Sequence, residues 1–316
     1  MIPVLAHGSV RALLRQGVEK LRLSGVPSYA LAAELLLLSL AAKDRTWLYS
    51  HPEEILPDSL ADAYFALLAQ RASGIPTQHL TGKQEFWGLE FEVTPDVLIP
   101  RPETEQLIEV ALERLAAEEL RAGREPHLKE RNVRLVDVGT GSGCIAIALA
   151  KELPAATVYA TDISKAALRV ADQNAARHGL SSRIHFFQSH LLDAVSARVR
   201  AEAIPPFDLI ISNPPYIGLR ERESLPIDVR EHEPRLALFG GEEGYELYGQ
   251  LISGALPVLK PAGLLVVELG HNSLPAVEPL LDRAEWTEVA VANDLAGIRR
   301  VLSAERTAVP ADRLQS

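Results

Sequence analysis

Between residues 133 and 212 the chain repeats one pattern. Short apolar runs at 133–138, 157–160, 184–187 and 209–212 alternate with helical segments near 145–153 and 166–178. Strands separated by helices cannot pair as hairpins. Each must cross over and lie parallel to an earlier strand, which leaves helices on both faces of one sheet. That alternation fixes an α/β class with a doubly wound, Rossmann-like sheet. Residues 264–269 add a strand, 274–281 a helix, and 287–291 with 298–302 an antiparallel pair.

The preceding chain is helical in pattern. Val10, Leu13, Leu14, Val18 and Leu21 recur mostly at three- and four-residue spacing, and Gly25-Val26-Pro27 ends that segment. Ser28 is expected to cap a helix running to Lys43, and Asp58 or Ser59 another running to about Arg71, before Gly74-Ile75-Pro76 breaks it. This small helical bundle carries no catalytic constellation, which suits a scaffold or a partner-docking role. Residues 84–93 partly alternate around Gly88 and read as a hairpin bridging the bundle to the α/β region. Pro100 and Pro102 then open a helix to about Arg121, and 122–131 form an exposed, charged loop. The expected division is a docking bundle at 1–75, a hairpin linker at 76–98, the α/β domain at 99–304 and a flexible polar tail at 305–316.

Composition removes several function classes. Among 316 residues the formal net charge is -10, against a protein held mainly by nucleic-acid phosphates. The one cysteine, Cys144, excludes an internal disulfide and any multi-cysteine zinc site, and its small apolar neighbours place it in a core. No metal is expected. Residues 1–9 lack the pattern of a secretory signal, and the most apolar run, 35–42, is far shorter than the roughly 20 residues of a membrane span. A soluble, cytoplasmic protein is expected.

Two motifs carry chemistry. Val136-Asp137-Val138-Gly139-Thr140-Gly141-Ser142-Gly143 lies between the first strand of the sheet and its first helix, where glycines let backbone approach a ligand closely. The G-x-G-x-G spacing and the preceding Asp137, suited to an ammonium group, favour S-adenosylmethionine over a dinucleotide. Asp162 closes the second strand, where a carboxylate can accept both ribose hydroxyls; it could also cap the next helix. His190-Leu191 follows the third strand, where an adenine would lie. The second motif, Asn213-Pro214-Pro215-Tyr216, ends the fourth strand. Its prolines hold the Asn213 side chain and the Pro214 carbonyl as two acceptors beside an aromatic ring. That set suits a planar group with two N–H donors, an amide or an amino-purine. A strand-ending turn is the plainer alternative.

The glycine loop, the strand-end acid and Asn-Pro-Pro-Tyr in this order resemble the class I S-adenosylmethionine-dependent amino-methyltransferases. Leu98-Ile99-Pro100-Arg101-Pro102-Glu103-Thr104-Glu105, the Glu85-Phe86-Trp87-Gly88 hairpin and the helical bundle narrow this. They make the chain similar to the peptide-chain release factor glutamine methyltransferases over nearly its whole length. Asp228-Val229-Arg230, Glu233-Pro234 and Ala237-Leu238 fall where that family has a similar segment. The resemblance implies a seven-stranded sheet and methylation of the glutamine side chain in the Gly-Gly-Gln motif of bacterial release factors. It implies a cofactor site at Asp137, Gly139 to Gly143, Asp162, His190, Leu191 and Asn213, and a substrate and catalytic site at Asn213, Pro214, Pro215 and Tyr216. His190 departs from the acid usual in the family. Alternatives are a ribosomal-protein glutamine methyltransferase, a nucleic-acid adenine methyltransferase, which the acidic balance opposes, and a non-enzymatic interaction module. Neither membrane nor direct nucleic-acid binding is expected.

Overall fold

The computed structural model of the chain describes residues 8–308. Residues 1–7, which hold most of the segment read as lacking a signal, and the polar tail from 309 lie outside the described residues. The described chain forms two compact units. The first takes in the chain up to Lys83 together with Pro226–His232; the second takes in Gln84–Leu225 and the chain from Glu233 on.

The first unit packs helices Val10–Leu23, Tyr29–Ala41, Arg45–Ser50, Asp58–Ala72 and Thr77–Thr81 around a leucine-rich core. Val10, Leu13 and Leu21 face inward, and Gly17 lets Tyr64 press against the helix, since an added Cβ would overlap the Tyr64 hydroxyl. Two expected caps are absent. Ser28 sits in the left-handed region at φ 50° and makes no capping bond, because a cap needs extended backbone to turn its oxygen onto the first-turn amides. Asp58 already lies inside its helix after Pro57, where its charge sits near the positive end. Asp44 does cap, accepting from the Trp47 amide at 2.8 Å, and so starts the short helix Arg45–Ser50 absent from the sequence reading.

Residues 226–232, assigned from sequence to the α/β domain, belong by contact to this helical unit. Arg71, 6% exposed, donates to Asp228 at 3.2 Å and to the Ile75 carbonyl at 3.2 Å. The Ile227 side chain lies 3.4 Å from where a Gly74 Cβ would stand. Pairing across such a sequence separation leaves no periodic trace.

The second unit is a seven-stranded sheet. Its strands are β1 (Arg134–Val138), β2 (Thr157–Asp162), β3 (Ile184–Gln188), β4 (Phe207–Ser212), β5 (Leu259–Glu268), β6 (Trp286–Asn293) and β7 (Arg299–Arg306). Their order is β6-β7-β5-β4-β1-β2-β3. The five strands β1 to β5 run parallel, and β7 lies antiparallel to both β5 and β6. Alternate residues feed two cores, Leu135 and Ile211 into one with Phe91 and Leu107, Val136 and Ile210 into the other with Tyr248 and Trp286. Because β1 sits between β2 and β4, the winding reverses beside it. A crevice opens at the carboxyl ends of strands at such a point.

The hairpin consists of strands Lys83–Phe86 and Leu89–Glu92 around Trp87 and Gly88, both left-handed as a two-residue turn requires. Most of it is part of the second unit. Phe86 and Phe91 are buried in its core, and the Trp87 amide and indole donate to Glu105 at 2.7 Å and Glu152 at 2.9 Å. The start of the expected linker is instead helical, at Thr77–Thr81, and groups with the bundle. The expected tail also begins too early: β7 runs through Arg306, and Glu305 meets Arg121 at 2.6 Å.

Candidate active site

At the reversal point the ends of β1, β2, β3 and β4 surround a cavity of about 290 Å³, at the low end for small-molecule sites. Gly139 and Gly141 line it after β1, Asp162 and Ser164 after β2, His190 and Leu191 after β3, and Asn213 and Pro215 after β4. Val97, Leu98, Leu236 and Ala237 form outer walls. Sequence reading placed none of these four in the site.

The three loop glycines do two different jobs. All have positive φ, at 74°, 54° and 83°. A Cβ on Gly139 or Gly141 would meet no protein atom within 4 Å, so these two bare backbone to the cavity. A Cβ on Gly143 would stand 3.1 Å from the Ala171 Cβ and 3.2 Å from Ile147, so this one serves close helix packing. Gly143, Thr140 and Ser142 do not line the cavity. Thr140 and Ser142 are buried behind it, with the Gly139 and Thr140 amides donating to the Thr161 carbonyl at 2.8 and 2.9 Å. Asn174, also unforeseen, is fully enclosed. It exchanges hydrogen bonds with the Glu92 backbone at 2.8 and 3.0 Å and donates to the Ser142 carbonyl at 2.9 Å, stapling the hairpin to the loop.

Asp137 is buried beneath the loop. One carboxylate oxygen accepts from the Thr140 hydroxyl at 2.6 Å and the Ala146 amide at 3.2 Å; the other, Oδ1, has no partner. Burial pushes its pKa up to about 7, against the lowering effect of those two bonds. Asp162 reaches the cavity while accepting from the Gly141 amide at 2.9 Å and the Ser164 amide at 2.8 Å. Burial raises its pKa too. The helix cap proper is Ser164, which accepts from Ala167. Leu191 holds a left-handed backbone at φ 42°, costly for a branched side chain. The Thr161 hydroxyl fixes it there by donating to its carbonyl at 3.0 Å. His190 lines the same wall half-exposed, with its ring 3.9 Å from Asp193.

Asn213 belongs to a polar chain. Its Nδ2 donates to the Thr104 hydroxyl at 3.0 Å, and that hydroxyl donates to Glu268 at 2.7 Å. Glu268 closes β5, is 1% exposed, and has its pKa pushed up to about 7 by burial. The Tyr216 hydroxyl donates to its other oxygen at 3.4 Å. Tyr216 therefore packs into the core with its phenol toward Glu268, and burial raises its pKa. Neither Tyr216 nor the buried Pro214 lines the cavity. Arg101 meets Glu233 at 2.5 Å, joining two segments singled out in the sequence. Thr104 and Glu268 were missed as site residues, although Glu268 shows the signal that marked Asp162, an acid closing an apolar strand.

The Asn-Pro-Pro-Tyr backbone is fixed from behind by glycines. A Cβ on Gly240 would overlap the Pro215 carbonyl oxygen, and one on Gly244 would stand 2.5 Å from the Tyr216 carbonyl oxygen. One on Gly270 would stand 2.9 Å from the Tyr216 ring.

A family profile described as the PrmC N-terminal domain matches residues 12–82, and one described as the methyltransferase small domain matches residues 125–225. The chain is 41% identical to the release factor glutamine methyltransferase of Koribacter versatilis, covering 90% of this chain and 94% of that one. It is 37% identical to that of Nitratidesulfovibrio vulgaris over 95% and 96% of the two chains. Among solved structures, the hMettl16 catalytic domain in complex with an RNA hairpin matches with a TM-score of 0.53 at 19% identity, over 77% of this chain and 82% of that one. This likeness bears on the fold alone.

Proposed function

The chain belongs to the release factor glutamine methyltransferase family, and on that premise we propose how its cavity performs glutamine methylation: with S-adenosylmethionine as cofactor and the Gly-Gly-Gln glutamine of a bacterial peptide-chain release factor as substrate. The observation that carries the reading is that Asn213 shares one cavity with the open glycines and Asp162. Cofactor side and substrate side meet there.

The residues fit the cofactor. Gly139 and Gly141 leave a cradle that any Cβ would fill, and Asp162 offers remaining lone pairs to ribose hydroxyls. Asp137 has a buried carboxylate oxygen without a partner, the kind of atom that an ammonium group satisfies directly or through water. Leu191 and His190 cover the end where a base would lie. When bound, the cofactor supplies a sulfonium methyl, already a strong electrophile.

The protein's task is then orientation. A glutamine amide nitrogen is a poor nucleophile because its lone pair is delocalised into the carbonyl. With its two hydrogens accepted by Asn213 Oδ1 and the Pro214 carbonyl, the nitrogen is held in one direction and its developing positive charge faces two acceptors. In the transfer the nitrogen's bond to the methyl would replace the methyl's bond to sulfur, leaving a neutral thioether, and the nitrogen's extra proton would pass to water. Orientation of this kind supplies up to about 7–11 kcal/mol, and the paired acceptors add electrostatic support. A tripeptide is too small to select one protein, so the helical unit is assigned the docking of the factor's body.

The test uses methyl-labelled S-adenosylmethionine with release factor, a ribosomal protein or naked DNA offered separately, followed by location of the label. Label on the Gly-Gly-Gln glutamine is expected. Asn213→Ala should cut transfer far more than it lowers the melting temperature. Asp162→Ala should weaken cofactor binding roughly 10- to 100-fold, the loss of a charged acceptor. Label on DNA alone, or unchanged cofactor affinity in Asp162→Ala, would sink the corresponding part.

A further inference from the structure

We propose that Thr104, anchored by Glu268, is a positioning residue that fixes which end of the Asn213 side-chain amide faces the substrate. The inference rests on the proposed glutamine methylation and deepens it. The two ends of an asparagine amide are nearly the same size, so shape alone does not choose between them. For glutamine methylation the choice matters. Only the oxygen can accept from the substrate amide; the flipped side chain would set two N–H donors against two others.

Hydrogen-bond direction decides it. The Thr104 hydroxyl has a single proton. Glu268 Oε2 stands 2.7 Å from it, and above about pH 7, where Glu268 is ionised, the carboxylate has only lone pairs to offer, so the proton goes there. What Thr104 has left for Asn213, 3.0 Å away, is a lone pair. The amide end facing Thr104 is therefore the NH2, and Oδ1 is turned to the other side. Polarity thus runs from Asn213 through Thr104 to Glu268.

Each link is rigidly placed. Thr104 is 2% exposed in the short helical turn Pro102–Thr104, whose start is fixed by Pro100 and Pro102 and by Arg101 on Glu233. Glu268 ends β5, two strands from β1 and directly beside β4, which Asn213 follows. The Tyr216 hydroxyl holds its second oxygen at 3.4 Å, and the Tyr248 hydroxyl donates to its backbone carbonyl at 2.7 Å. A buried carboxylate that is costly to hold contributes a direction that an apolar residue could not.

The test uses the full-length chain with intact release factor and compares Thr104→Val, Thr104→Ser and Glu268→Gln. Val keeps the shape and removes the hydroxyl. We expect kcat to fall about tenfold, the worth of one orienting hydrogen bond, with cofactor affinity little changed and a lowered melting temperature, because Glu268 loses its nearest donor. Ser restores the hydroxyl and should recover most of kcat. Gln at 268 can donate as well as accept, so it no longer dictates direction and should fall between Val and the parent. A Thr104→Val enzyme with parental kcat, equal losses in Val and Ser, or a loss that tracks weakened cofactor binding would overturn the proposal. If the Val variant does not fold, a folded Glu268→Gln enzyme with parental kcat overturns it instead. Failure of the glutamine methylation itself looks different: the parent would leave the release factor unlabelled.

Discussion

Asp137 and Glu268 are acids at or next to strand ends, held almost out of water, and this has a measurable sign. Their carboxyls ordinarily titrate at 3.8 and 4.5, and burial raises both to about 7. A raised pKa means that the folded state binds the proton more tightly than the unfolded state. The stability each contributes is complete below its ordinary value and is lost as pH rises through about 7. Asp137→Asn should therefore gain on the parent by more at pH 8 than at pH 5, because the parent's stability falls across the interval from 3.8 to about 7. Calorimetric melts at the two pH values check this, and an identical gap at both would exclude Asp137 as the source. At this scale the sequence disclosed acids and glycines, because a carboxylate after an apolar strand and a repeated glycine are visible by type. It did not disclose Thr104, whose role depends on a hydroxyl meeting a carboxylate 164 positions away.

Elements hold the site through close backbone approach. The Phe239–Gly241 strand lies against the Asn-Pro-Pro-Tyr segment with no room for a side chain at Gly240, where a Cβ would overlap Pro215 and stand 2.6 Å from the Gly244 carbonyl oxygen. Gly240→Ala should cost about 1–3 kcal/mol, as overpacking does, and should reduce methyl transfer more than cofactor binding because Asn213 moves with Pro215. Gly249→Ala is the control. It lies in the helix Glu246–Ala255 with nothing nearer its Cβ than a Leu280 methyl at 4.0 Å. Alanine there should be neutral or stabilising by up to about 1 kcal/mol. Denaturant melts of the two variants separate these outcomes. The alternating strands were legible as elements because burial on both faces writes continuous apolar runs. Helices such as Asp193–Arg200 and Glu246–Ala255, and the segment 226–238, were not, because short pieces stabilised by tertiary contact carry little periodicity.

For the whole molecule, the docking role proposed for the helical unit calls for a test that leaves both units folded. Removing the chain up to Gly74 would strand Asp228 without Arg71 and expose Ile227 further. Replacing the exposed Leu23, Tyr49 and Ile55 together by serine avoids that, since all three are more than 60% exposed. Methylation of intact release factor should fall through a higher KM, while a short Gly-Gly-Gln peptide, already a poor substrate, should be unaffected. Equal losses on both would mean that the unit shapes the active site. The two-unit layout was legible from the change of hydrophobic period near residue 75. The return of 226–232 to the first unit was not.

That return sets an order for synthesis. A ribosome releases the bundle's first 83 residues early, yet the segment that Arg71 and Gly74 await is about 150 residues further along. At roughly 5–20 residues per second, the bundle waits about 7–30 seconds for its last piece. Throughout that interval Arg71 lacks its carboxylate. The unit that begins the chain is completed only after the glycine loop and Asn213 have already been made.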